Sequence, residues 1–399
     1  MKFALLSHKL PPSGSGQAVI IQGMLRDLDP VNYCLISTES YEGVDQGPLE
    51  RLKGKYYYLP PPFRLQRGHR FGLLHLREGI NIRIAIWQYA RQLADIIRRE
   101  RCDAIVAGTG DVTLLPAAWL ASRKTRTRFY PYIFDHYSDR EWNDPAASFW
   151  AHRLQPKLMK EAAGVITLNE VLRDDLRDRF RIEPAIIYNP LDITTYKEPS
   201  RLAAIVPDKS DISIVYTGAV YEAHFDAVRN LMLAIESLQR PGVKFHLYTN
   251  TRPEDLTTHG ISGPIVRHPH VAASEMPRIQ TEADILFLPL AFHSPYPNLV
   301  RTAAPTKLGE YLAARRPLLV HAPHDSFVSW YVRKHDCGVV VDEDDPAKLA
   351  DAIELILNDA ELCRRLVANA FERAQTDFSI SVSRAAFARL LGLNGERSG

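Results

Sequence analysis

The chain is poor in cysteine, has no long apolar run and carries no excess of charge, and each shortage excludes a class of protein. Cys34, Cys102, Cys337 and Cys363 are its four cysteines in 399 residues, and they form no Cys-x-x-Cys pair. Neither a disulfide framework nor a zinc site is expected from them. No segment approaches the roughly 18 uninterrupted apolar residues of a spanning helix, and the run Phe3-Ala4-Leu5-Leu6 is too short for a secretory signal. A cytoplasmic protein is expected. Basic side chains number 49 against 47 acidic ones, so no global field favours nucleic acid, and no such partner is expected. The early turn Pro11-Pro12-Ser13-Gly14-Ser15-Gly16 also lacks the third glycine of a dinucleotide fingerprint, because Val19 stands in its place. That counts against a nicotinamide-dependent oxidoreductase.

What is present is ordinary globular material. Apolar residues make up 46% and charged residues 24%, enough to bury a core in each of the two or three domains that the length suggests. Short apolar runs of strand length alternate with helical periodicity, the pattern of α/β architecture. In the first half, residues 2–7, 33–37, 56–59, 104–107, 129–134, 164–168 and 185–188 read as strands; in the second, 213–217, 244–248, 264–267, 285–290, 318–321 and 338–341 do. Two doubly wound domains are expected: 1–192, a turn-rich linker over 193–211, and 212–376, with a last helix in 377–399 that can cross back to the first domain.

Open α/β sheets bind ligands at the carboxyl ends of their strands, so the loops there are the places to search. Gly14 and Gly16 follow the first strand; glycine permits positive φ and open N–H groups at a helix start, which suits an anion or a plain tight turn. Phe134-Asp135-His136-Tyr137-Ser138-Asp139 gathers two carboxylates and an imidazole, a set for proton transfer, hydroxyl recognition or metal binding, or for satisfying backbone donors. Gly218, in Tyr216-Thr217-Gly218-Ala219, lets the backbone approach a ligand or simply turn. The fullest segment is Pro305-Thr306-Lys307-Leu308-Gly309-Glu310. Proline at a first helical position leaves N–H groups open, and the helix dipole adds roughly half a positive charge there. Lys307 and Glu310 are three apart and share a helix face. An ammonium suited to a diphosphate therefore lies beside a carboxylate suited to ribose hydroxyls, unless the two form an exposed ion pair. Asp342-Glu343-Asp344 spells Asp-x-Asp but precedes Asp345-Pro346 at a helix start, and reads as capping. No metal is expected.

Ala283–Leu290, Pro305–Val320, Cys337–Val341 with Asp345-Pro346, Ala163–Asn169 and Ile187–Asp192 together resemble the GT-B glycosyltransferases, and among them the family 4-like enzymes. The resemblance implies two Rossmann-like domains facing a central cleft. A nucleotide sugar, a UDP-sugar by preference, would be held by the second, and a glycan or lipid-linked acceptor largely by the first. It implies that Lys307 meets the diphosphate, with Arg301 as a second positive charge there, that Glu310 meets the ribose, and that Thr306 and Leu308 belong to the donor-binding set. Gly14 and Gly16 would approach the donor phosphates, and His136 with Asp135 would stand near the reacting sugar. Gly218 would border the donor, with His268 and Val271 toward its base. The implied catalytic set is His136, Asp135 and Lys307.

Two common features of the family are missing. Thr302 stands where a glutamate precedes Glu310 by eight residues, and Tyr221, His224 and Arg229 stand where an arginine and a lysine follow Gly218. The implied chemistry is displacement of a nucleoside diphosphate from an anomeric carbon without cofactor or metal, commonly with retention, in a cell-surface polysaccharide or glycolipid pathway. Between Phe63 and Arg91, six arginines and one acidic residue, Glu78, interleave with apolar side chains. Such a stretch suits peripheral contact with the cytoplasmic face of an anionic membrane, or an amphipathic helix covering a sheet. The competing readings are an inactive nucleotide-sugar-binding relative and a nicotinamide oxidoreductase.

Overall fold

The structure is a computed structural model describing residues 1–44, 47–66, 74–138, 144–198, 211–238, 240, 242–269 and 271–393. It divides into two compact units, Met1–Tyr188 joined by the segment from Ser383 onward, and Asn189–Val382. Most of the expected linker, 199–210, lies outside the described residues.

The first unit alternates strand and helix: β1 (Phe3–Leu6), α1 (Gly16–Leu25), β2 (Tyr33–Ser37), β3 (Lys55–Tyr58), α2 (Leu74–Glu100), β4 (Ala104–Gly108), α3 (Leu114–Thr125), β5 (Arg128–Ile133), α4 (Pro145–Lys160), β6 (Ile166–Thr167), α5 (Glu170–Phe180) and β7 (Ala185–Ile186). Its strands pair in parallel in the order β3-β2-β1-β4-β5-β6-β7. All residues of β1, β2 and β4 are buried, which is why they read as unbroken apolar runs rather than alternating ones.

The second unit contains β8 (Ile212–Thr217), α6 (Phe225–Ser237), β9 (Val243–Tyr248), α7 (Pro253–Thr258), β10 (Ile265–His268), α8 (Met276–Glu282), β11 (Ile285–Pro289), α9 (Pro297–Thr302) and α10 (Thr306–Ala313). There follow β12 (Leu318–His321), α11 (Phe327–Lys334), β13 (Val339–Val341), α12 (Pro346–Asn358) and α13 (Ala360–Arg373). The sheet order is β10-β9-β8-β11-β12-β13, again parallel. Strand order reverses between β1 and β4 in one sheet and between β8 and β11 in the other. Loops on either side of such a reversal diverge and leave a crevice at the carboxyl edge. Both units are thus Rossmann-like, each with a binding position built into its topology.

Helices α7, α8 and α9 fall in stretches that the hydrophobic pattern leaves as loops. Each is 6 or 7 residues long, too short to display a helical period. Helix α2 begins at Leu74 rather than near Ile80. Asp345 caps α12 by accepting from Ala347 N and Lys348 N, while Asp344 turns away to Asn230 and His293.

The last helix, α14 (Ile380–Leu391), joins the first unit from Ser383 on. Phe387 packs edge-on against Phe3 of β1, ring centroids 5.6 Å apart, and Ser383 Oγ donates to Tyr188 O at 3.1 Å. Arg384 Nε donates to Gly23 O at the end of α1. Phe387 is 3% exposed, so Phe387→Ala is predicted to destabilise this unit by about 3 kcal/mol. Urea denaturation is the measurement; a change below about 1 kcal/mol would show that α14 is not part of the unit's core.

Candidate functional site

In the second unit the site assembles at the reversal between β8 and β11. Gly218 leaves β8 at φ +134, and its N–H donates to Tyr248 O at 2.8 Å. That conformation alone favours glycine, and any side chain here would push the end of Lys307 aside. A Cβ at 218 would stand 2.6 Å from Lys307 Cε and 2.7 Å from Nζ. Lys307 reaches this point from the first turn of α10. Its ammonium lies 5.4 Å from the centre of the Tyr216 ring and makes no hydrogen bond or ion pair with the described residues.

Pro305 occupies the N-cap of α10 at φ −64, ψ 135, one position before the expected first helical place, and supplies no capping side chain. No acceptor on that side chain competes for the first-turn N–H groups, so the positive helix end stays open beside Lys307. The entry is pinned from behind: Asn189 Nδ2 donates to Ala304 O at 2.8 Å.

Lys307 and Glu310 do not pair. Glu310 Oε2 instead accepts from Gln280 Nε2 at 2.8 Å, and the same nitrogen donates to Thr217 Oγ1 at 3.1 Å. Gln280 Oε1 accepts from Tyr196 OH at 2.7 Å, and Tyr311 OH accepts from Thr217 N at 3.0 Å. This buried chain aims a half-buried carboxylate whose Oε1 makes no hydrogen bond to the described residues. Gln280, Tyr196 and Tyr311 had no motif to single them out. Gln280 lies in the short helix α8 and Tyr196 near the linker.

The remaining donor-side residues divide. Thr306 opens α10, half-buried. Leu308 is buried and its N–H already donates to Pro305 O, so neither side chain nor amide is open to a ligand. Arg301 stands in the last turn of α9, and Thr302, buried, donates to Asn298 O of its own helix. His268 closes β10, stacked 4.1 Å from Tyr248 and beside His246; burial lowers its pKa. Val271 is half-buried beyond it.

In the first unit the glycine turn differs from expectation. Neither Gly14 nor Gly16 adopts positive φ. At Gly14 a Cβ would press on the Pro48 side chain at 3.0 Å, whereas at Gly16 nothing lies within 4 Å. Ser15 caps α1 by accepting from Ala18 N. His136, 3% exposed, faces Asp175 of α5, Nε2 to Oδ2 3.2 Å, a partner 39 residues away that no local motif reveals. Asp135 N lies 3.4 Å from Thr109 Oγ1; Asp139 lies outside the described residues. Among the described residues, no three His, Cys, Asp or Glu side chains gather as a metal-binding group.

Known proteins share this construction. The family model described as glycosyl transferases group 1 matches residues 211–359, and the glycosyl transferase 4-like domain matches 17–190. No curated protein sequence matches. A solved glycosyltransferase from Rickettsia africae is 12% identical, with 99% of each chain covered and a TM-score of 0.67. Anabaena Alr3699/HepE, solved in complex with UDP and glucose, is 15% identical over 98% of this chain and 99% of its own, TM-score 0.67. Sucrose-phosphate synthase from Thermosynechococcus elongatus is 13% identical over 98% of each chain, TM-score 0.68. At such identities the structures establish the fold. With a matched domain in each half, the chain belongs to the family 4-like glycosyltransferases of GT-B fold.

His224, between Gly218 and α6, is 8% exposed, and burial together with the Lys307 charge pushes its pKa down to about 3. An unfolded histidine titrates near 6.5, so the unfolded chain takes the proton first. The stability gained by keeping the ring neutral is complete above about pH 6.5 and is lost as pH falls toward 3, by about 1.4 kcal/mol per pH unit. Between pH 6 and 4 the urea midpoint is predicted to fall more steeply for the wild type than for His224→Phe. Parallel slopes would show that the ring is not held neutral.

Proposed function

We propose that this glycosyltransferase moves a sugar from a UDP-sugar to a glycan or lipid-linked acceptor in the synthesis of a cell-surface polysaccharide or glycolipid, without a divalent metal and with retention of configuration. The observation that carries the reading is Lys307: a half-buried ammonium with no carboxylate partner among the described residues, held against Gly218 at the uncapped start of α10. Such a cation is costly unless an anion completes it. A diphosphate fits both the ammonium and the open N–H groups, and Glu310, aimed by Gln280, fits the hydroxyls of a ribose. As the bond to the anomeric carbon breaks, negative charge grows on the leaving diphosphate, where Lys307 and the helix end are fixed in advance to receive it. These positive groups take the part a metal would otherwise play. UDP is favoured because HepE was solved with UDP and with UDP-glucose. A cell-surface pathway accords with the lipopolysaccharide outer core galactosyltransferase WaaB, 13% identical over 99% of this chain.

The acceptor side of the proposal rests on the first unit. Leu74, Leu76, Ile80 and Trp87 are exposed on α2, Phe63 and Leu65 in the irregular segment after β3, and Phe149 on α4. Glu78 pairs with Arg64 and Arg77, while Arg83 lies over Trp150 and Arg91 over Trp87. A groove of about 470 Å³ between α2 and α4 is lined by Leu76, Ile80, Phe149 and Trp150. Exposed aromatics set among arginines suit the interface of an anionic membrane on its cytoplasmic face. No described helix is long and apolar enough to cross one. Arg67, Arg70, Phe71 and Leu73 lie outside the described residues.

Transfer assays and vesicle sedimentation test the proposal. Lys307→Ala is predicted to keep its circular dichroism spectrum and lose at least about a hundredfold in transfer from UDP-sugar, and EDTA is predicted to leave wild-type transfer unchanged; near-normal activity in the variant would overturn the assignment. Nucleotide binding without turnover on any acceptor would instead favour the inactive relative. The protein is also predicted to sediment with phosphatidylglycerol vesicles at low salt, less so at 0.5 M salt, and to be released by Trp87→Ser with Phe149→Ser. Absence from the vesicle pellet at low salt would remove the membrane reading.

A further inference from the structure

Asp344 belongs to the acidic run Asp342-Glu343-Asp344, which reads as capping, yet only the following Asp345 caps α12. Asp344 instead joins a chain of hydrogen bonds that crosses the second unit. His321, fully buried at the end of β12, places Nδ1 3.0 Å from Val341 O, so that nitrogen carries the proton. Burial lowers the His321 pKa and keeps the ring neutral. Its Nε2 is then a lone pair, and it accepts from Asn230 Nδ2 of α6 at 3.1 Å. The same amide nitrogen donates its other proton to Asp344 Oδ1 at 2.6 Å. Asp344 Oδ2 accepts from His293 Nε2 at 2.8 Å. One arrangement of protons satisfies all of these contacts.

The chain ends on the loop between β11 and α9. Loops that leave neighbouring strands at a reversal of order diverge, and no ladder bond sets their spacing beyond the strand ends. Here three contacts set it. Ala291 N donates to Ala223 O at 2.7 Å, His293 N donates to Asp226 Oδ2 at 2.7 Å, and the His293 ring reaches Asp344. Asp226 is buried in the first turn of α6, where the helix dipole favours a carboxylate, and its other oxygen accepts from Ala227 N. His293 thus ties the loop to two carboxylates, one through its backbone and one through its ring. The segment then runs through α9 to Pro305 and α10, which brings Lys307 back against Gly218. The two sides of the crevice therefore meet twice, and the clamp at His293 restrains the approach at Lys307.

We propose that His321, Asn230 and Asp344 are positioning residues, which act through His293 to clamp the β11–α9 loop onto α6 and hold the crevice in its ligand-binding arrangement before the nucleotide sugar arrives. The inference rests on the nucleotide-sugar reading above. An exposed histidine–aspartate pair contributes little on its own. This one ends a chain whose buried amide and imidazole fix the direction of the Asp344 carboxylate, so the ring of His293 meets an acceptor already in place. A loop released from it spends part of its time out of place, and the apparent affinity for a ligand falls in proportion to the competent fraction. Bound ligand gathers the loop again, so turnover at saturating nucleotide sugar keeps its rate.

The test is steady-state transfer from UDP-sugar, with calorimetric UDP binding and amide hydrogen exchange, on the full chain and its variants. The His293 side chain is 75% exposed, so His293→Ala keeps the fold. It is expected to raise the KM for UDP-sugar and the Kd for UDP about fivefold to tenfold, to leave kcat within about twofold, and to speed exchange at the Ala291 and His293 amides. His293→Gln, whose amide nitrogen falls near the position of Nε2, should restore the wild-type values. Asp344→Asn turns a donor toward a donor and should match His293→Ala, and the double variant should be no worse than either single one. An unchanged KM in His293→Ala, a loss confined to kcat, or no rescue by His293→Gln overturns the inference. If Lys307→Ala still weakens UDP binding in that case, the nucleotide-sugar reading stands without it. If the wild type binds none of UDP, GDP and ADP, both fail together.

Discussion

A missing Cβ governs the second unit. At Gly218 the chain leaves β8 with φ +134 and passes so close to Lys307 that any side chain would collide with the ammonium. The lysine is thereby confined between a backbone turn and the face of Tyr216, paired with no carboxylate among the described residues. A cation in such surroundings is incompletely solvated, and its position gains from any anion that arrives. The open first turn of α10 adds its dipole at the same point. Gly218, Lys307 and Pro305 are thus one device: remove the glycine's freedom and the cation is displaced, remove the cation and the helix end is left with only partial charge.

The carboxylate of Glu310 obeys a different constraint. Its direction is set by Gln280, whose amide group is shared among Glu310, Thr217 and Tyr196. Because an amide nitrogen donates and its oxygen accepts, these partners admit only one orientation of the side chain. The network is buried, so each unmet partner would cost on the order of 1–3 kcal/mol, and that penalty keeps the carboxylate aimed. Cation and carboxylate, three residues apart on one helix, are separated in function by what packs around them.

The first unit shows how far local pattern carries. Its strands were readable because both faces of a parallel sheet are covered and the runs are apolar without interruption. The turn with Gly14 and Gly16 was readable as a turn but not in its detail, since the side chain that crowds Gly14 is Pro48, 34 positions away in the chain. The same holds for His136, which stood out by chemistry while its partner Asp175 did not. Helices α7 to α9 were invisible for want of length, not for want of propensity.

By itself the sequence determined the alternation of strand and helix, the two Rossmann-like units, and the placing of Lys307 and Glu310 at a helix start, because periodicity, capping chemistry and proline geometry act over a few residues. Tertiary structure decided the rest. Whether Lys307 and Glu310 would neutralise one another could not be read from a spacing of three, which permits an ion pair and permits its absence. It was settled by Gln280 and Gly218, brought in from 30 and 89 residues away. The closure of a parallel sheet sets such distances, and no window along the chain contains them.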